Sequence, residues 1–61
     1  MVDIMNVEKE ILKLAKKSPG ITIDQVSDHL EVSQEEITKS ATELQNKGKI
    51  VIEEGNSLHL S

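Results

Sequence analysis

His29 and His59 are the side chains in this 61-residue chain best suited to moving a proton or holding a metal near neutral pH. They lie far apart in sequence, and no carboxylate spacing around them matches a ligand motif, so neither a metal nor a cofactor is expected. No nucleophile stands beside a base, no glycine-rich loop offers to cradle a phosphate, and no acid pair has catalytic spacing. A chain this short also encloses little volume for a substrate pocket, so an enzyme and a small-molecule substrate are not expected. What remains is surface recognition by charge and hydrogen bonding. Seven basic residues, all lysine, face eleven acids, for a formal net charge of −4. Lysine can hold a phosphate, while the amides of Gln34 and Asn46 have the donor and acceptor pair that reads adenine.

The length allows one domain with a small core. Cysteine is absent, which removes disulfides and thiolate sites and fits a reducing compartment. With no run of apolar residues approaching a membrane span, the chain reads as a cytoplasmic domain without a membrane partner. There is no Phe, Trp or Tyr. Readers of single strands and RNA depend on aromatic stacking platforms, so those classes recede.

Positioning surface residues requires rigid elements, and apolar spacing supplies them. Ile4, Val7, Ile11, Leu14 and Ala15, with Leu12 beside them, recur at helical intervals and predict a first helix over about 6–17. Early Glu8 and Glu10 and late Lys13, Lys16 and Lys17 suit its dipole. "SPG" at 18–20 ends it, and a short extended segment, 20–22, follows. Two matched helix starts come next. In "ITIDQV" Thr22 is the N-cap, Gln25 reaches back, and Ile21 staples to Val26; in "VSQEEI" Ser33, Glu36, Val32 and Ile37 take those roles. They predict a second helix over about 23–30, with Ile23, Val26 and Leu30 inward, and a third over about 34–47, with Ile37, Ala41 and Leu44 inward. Gly48 terminates the third helix.

After Gly48 the pattern alternates, and "GN" between "KIVIEE" and "SLHLS" predicts a hairpin over about 49–60. Parity decides its register. A two-residue loop would pair Glu53 with Leu58 and mix a charge into the apolar face. A three-residue loop, 54–56, pairs Ile52 with Leu58 and Ile50 with Leu60, turning all four toward the core.

The predicted fold class is therefore α+β: three helices, one short strand and a C-terminal β-hairpin. That order resembles the winged helix-turn-helix superfamily. The stretch "ITIDQVSDHLEVSQEEITKSATELQNKGKI" is similar to its helix-turn-helix core through Val32, Ser33, Ile37, Leu44, Gly48 and Ile50, and with the first helix and hairpin the resemblance covers nearly the whole chain. It implies a DNA-binding module of transcription-regulator type, with the third helix in the major groove and double-stranded DNA as partner. The superfamily also includes protein-interaction modules, which makes a protein contact within a larger assembly the alternative.

The resemblance marks Gln34, Glu35, Thr38, Lys39, Thr42, Asn46, Lys47 and Lys49 as candidate DNA-contacting positions. Several have plain structural explanations. Glu35 and Glu36 suit a helix start, Lys47 suits a helix end, and Lys9, Lys13, Lys16 and Lys17 read as a solvated face. His29 reads as a surface residue. DNA-binding members of the superfamily carry Arg or Lys where this chain has Gln34, Glu35 and Thr38. Between Ser18 and Glu36 there are five acids and no lysine. The lone domain is thus expected to bind DNA weakly and with strong salt dependence, alone or as a homodimer, while its acidic turn suits a basic protein.

Overall fold

Helical periodicity and capping produce the elements almost where the sequence places them. A computed structural model describes the backbone of residues 4–61 and the side chains from Val7 onward. The side chain of Ile4, assigned to the core stripe, lies outside that range. Helix α1 is Ile4–Lys17, beginning two residues before the expected start. Glu8 and Glu10 consequently fall beyond its first turn, which holds no acid, and Lys16 and Lys17 complement the dipole at the other end. Val7, Ile11 and Ala15 are buried along one stripe, with Leu12 and Leu14 half-buried beside it.

At the end of α1, Ser18 N–H donates to the Leu14 carbonyl at 2.7 Å, and Gly20 takes φ +88°. The chain then forms strand β1, Ile21–Thr22, and helix α2, Ile23–Leu30. Thr22 closes the full capping box: its hydroxyl accepts from Gln25 N–H at 3.2 Å, and Gln25 Oε1 accepts from Thr22 N–H at 3.1 Å. Helix α3, Gln34–Asn46, makes only the first half, with Ser33 Oγ accepting from Glu36 N–H at 3.3 Å.

Both helices close with a left-handed residue followed by an N–H that bonds the carbonyl five residues back, although Glu31 N–H bonds Ser27 where Gly48 N–H bonds Gln45. After α3, Gly48 N–H bonds the Gln45 carbonyl and Lys49 N–H the Leu44 carbonyl, each at 2.9 Å, with Gly48 at φ +75°. This is a Schellman closure. After α2, Val32 N–H bonds the Ser27 carbonyl at 3.1 Å across the same six-residue span, with Glu31 in the left-handed position at φ 56°. Ser27 Oγ donates to the Val32 carbonyl and ties the turn from the other side. Helix α3 stops at Asn46, one residue short of the expected end, leaving Lys47 as its cap.

Strands β2, Ile50–Glu53, and β3, Ser57–Leu60, flank a single 3-10 turn at Glu54–Asn56. Gly55 and Asn56 both take positive φ there, at 76° and 60°. The three-residue loop gives the expected pairs, Ile50 with Leu60 and Ile52 with Leu58. One inward assignment is corrected. Leu60 is 44% exposed although its partner Ile50 is buried, because Leu60 is the terminal residue of β3, where the sheet ends. Ile52 is half-buried, while Ile50 and Leu58 are buried.

The extended segment before α2 does more than connect. Ile21 stands opposite Leu58 and Thr22 opposite Ser57, so β1 joins the hairpin in a three-stranded antiparallel sheet of order β1-β3-β2. The sheet packs against the helices around Val7, Ile11, Ala15, Ile23, Val26, Ile37, Ala41, Leu44, Ile50 and Leu58. The result is an α+β arrangement compatible with a winged helix. No helix among the described residues is long and apolar enough to cross a membrane.

Candidate nucleic-acid interface

Burying Ile37, Ala41 and Leu44 turns the opposite side of α3 to solvent. Gln34, Glu35, Thr38, Lys39, Thr42 and Asn46 are all exposed there, as are Lys47 and Lys49 beyond the helix. Their environments differ. Gln34 Nε2 donates to Asp24 Oδ1 of α2, which ties the start of α3 to the helix before it. Thr42 Oγ1 donates to the Thr38 carbonyl at 2.8 Å, so its hydroxyl is partly used within its own helix.

Lys47 turns toward α1 instead of the outward strip. Its Nζ lies 3.1 Å from Glu8 Oε1, whose side chain is only 15% exposed. The ion pair holds the end of α3 against α1 and makes Lys47 a poorer phosphate ligand than its position in sequence implies. Lys39 sits at the border between the outward strip and a shallow groove between α1 and α3, lined also by Glu8, Glu36, Ser40 and Glu43. Three carboxylates therefore share that groove with one ammonium. Among the described residues Lys39 and Lys49 make no ion pair, which leaves them as the lysines of the candidate set available to a polyanion.

Sequence reasoning missed these pairings to different degrees. Glu8 and Lys47 are 39 positions apart, and nothing local connects them. The contact between Glu53 and His59, with Nε2 3.2 Å from Oε1, was within reach. Once the loop length sets Val51 opposite His59, Glu53 becomes the diagonal neighbour of His59 on the same face. His29 is exposed on α2. Among the described residues no group of three or more His, Asp or Glu side chains is placed to hold a metal ion.

Comparison of the chain with protein-family models, with curated proteins and with solved structures finds no match in any of the three.

Proposed function

We propose that this chain is a winged-helix module that binds double-stranded DNA through the outward face of α3, weakly and with strong dependence on salt. The observation that carries the reading is the composition of that face. It is a continuous exposed strip of amides, hydroxyls, one ammonium and one carboxylate, Gln34, Glu35, Thr38, Lys39, Thr42 and Asn46, with no apolar side chain. Protein interfaces draw most of their energy from buried aromatic, Arg or aliphatic anchors, whereas DNA interfaces are polar and wet. A strip without an anchor suits the second kind of surface. Asn46 and Gln34 have the bidentate geometry for adenine, although Gln34 must first release Asp24.

Electrostatics limits the affinity. With Lys47 engaged by Glu8, attraction falls on Lys39 and Lys49, and Glu35 opposes it from the first turn of α3. Each phosphate contact contributes about −0.9 to the slope of log affinity against log salt. Glu35→Lys should therefore tighten binding to mixed-sequence duplex while leaving the Ser33 cap intact. Lys39→Ala and Lys49→Ala should each flatten the salt slope by about one unit. These are measured by fluorescence anisotropy at low and moderate salt. Undetectable binding by the parent and by Glu35→Lys at low salt would remove the DNA reading.

A second reading is favoured by one feature, the exposed acids Asp24, Asp28, Glu31, Glu35 and Glu36 around the turn between α2 and α3. On that reading the surface receives a basic protein. Glu35→Lys would then weaken that complex and leave DNA affinity negligible.

A further inference from the structure

Among the described residues, the sheet leaves one four-residue edge without a partner strand. β3 is central, bonded to β1 on one side and to β2 on the other, so the outer edge of β2 faces away from the sheet. The ladder decides which backbone groups point there. Ser61 N–H donates to the Lys49 carbonyl at 3.1 Å, and Val51 and Glu53 stand opposite His59 and Ser57. Bonded and non-bonded pairs alternate along an antiparallel ladder. Lys49, Val51 and Glu53 therefore aim their amide groups at β3, and Ile50 and Ile52 aim theirs outward. Parity across β3 agrees, since the Leu58 carbonyl accepts from Gly20 on the β1 side.

The side chains on this edge are self-complementary. Lys49, Val51 and Glu53 are exposed on one face. Val51, at 43% exposure, is one of two exposed large hydrophobic residues among those described. The stretch "KIVIE", 49–53, is apolar at its centre with a cation at one end and an anion at the other. Paired antiparallel with itself about Val51, it sets Lys49 of each copy opposite Glu53 of the other. Ile50 of one copy then faces Ile52 of the other, and the two valines meet on the axis.

This register uses the outward amide groups and no others. The two Ile50–Ile52 pairs become bonded pairs exchanging two hydrogen bonds each. Val51 occupies the non-bonded position, where Cα atoms approach to about 4.5 Å and side chains touch. A slip of two residues in either direction sets a charge of one copy opposite Val51 of the other and loses both ion pairs. A slip of one mismatches the backbone groups. Glu53 meets His59 through Oε1, which leaves its second oxygen for the new lysine.

We propose that the outer edge of β2 is a docking strand for a second copy of this chain, extending the sheet antiparallel across a two-fold axis through Val51. Growth stops at the dimer, because pairing consumes both β2 edges and the other sheet edge, β1, is only two residues long. Four hydrogen bonds and a small contact area make the association weak. The inference goes beyond the DNA reading and does not depend on it, since association is measured without nucleic acid.

The test is sedimentation equilibrium of the full chain over a wide concentration range. The parent should approach twice its 6.8 kDa mass at high concentration and dissociate as salt rises. Lys49→Glu and Glu53→Lys each set like charges opposite one another, and each should weaken self-association by about tenfold or more. An equimolar mixture of the two variants restores both ion pairs in a heterodimer and should associate like the parent. Val51→Lys, at a solvent-exposed site, should also abolish pairing. In hydrogen exchange, Ile50 and Ile52 amides should gain protection with concentration, while Val51 stays protected throughout. NMR spectra confirm that each variant is folded. A parent that remains monomeric at about 1 mM overturns the proposal. So does a dimer indifferent to Val51→Lys, or a charge-swapped mixture that fails to associate.

Discussion

Glu31 and Gly48 occupy equivalent backbone positions with unequal ease. Both follow a helix in the left-handed region, at φ 56° and φ 75°, and both precede a residue whose N–H reaches five residues back. A side chain in this conformation costs about 1–2 kcal/mol, which glycine avoids. Glu31→Gly should therefore stabilise the domain, by about 0.5–1 kcal/mol once the greater freedom of glycine in the unfolded chain is deducted. Gly48→Val should destabilise by more than about 1 kcal/mol. A Cβ at residue 48 would meet nothing within 4 Å, so that cost comes from backbone conformation and not from a clash. Urea denaturation of the two variants checks both signs. An unchanged midpoint for Gly48→Val would show that the turn relaxes into another closure.

The helices α1, α2 and α3 have 14, 8 and 13 residues, lengths at which isolated helices are marginal in water. Their persistence depends on the faces they bury together. Ile37 and Leu44 are at most 1% exposed and face the core between α1, α2 and the sheet. Ile37→Ala or Leu44→Ala should cost about 2–5 kcal/mol, comparable with the whole stability of so small a domain. Thermal melts followed by circular dichroism read this directly, and parent-like melting would show that the helix phase is wrong. Ser40 shares the buried side of α3 at 3% exposure. Apolar periodicity does not register it, because a small hydroxyl can occupy a helix interface without contributing to the hydrophobic stripe.

In the whole molecule, β3 is the strand that makes one domain from separate elements. It pairs with β1 from the middle of the chain and with β2 from its own hairpin, and its Leu58 is fully buried. Deleting 57–61 should therefore abolish cooperative folding throughout and not only release a hairpin. Loss of dispersion across the amide spectrum, helical residues included, is the expected outcome. A truncated chain that kept native helix signals would show the helices to be an independent unit. The net charge of −4 acts at the same scale. It opposes approach to any polyanion and makes a mildly basic protein surface the easier encounter, so the DNA reading depends on a local strip prevailing over the field of the whole molecule.

The sequence by itself determined what neighbours along the chain can impose. Periodicity, two capped helix starts, glycine stops and the parity of a three-residue loop led to the three helices and the hairpin register. These depend on torsions and hydrogen bonds spanning a few residues, where alternatives are few. Tertiary structure alone decided which distant groups meet. It made 21–22 a strand of the same sheet, left Leu60 uncovered, buried Ser40, tied Gln34 to Asp24 and took Lys47 toward Glu8. Such contacts follow from how helices and sheet stack, and no local pattern encodes the angle at which α3 crosses α1. The stacking of α3 on α1 pairs Lys47 with Glu8, while Lys39 and Lys49 make no ion pair among the described residues.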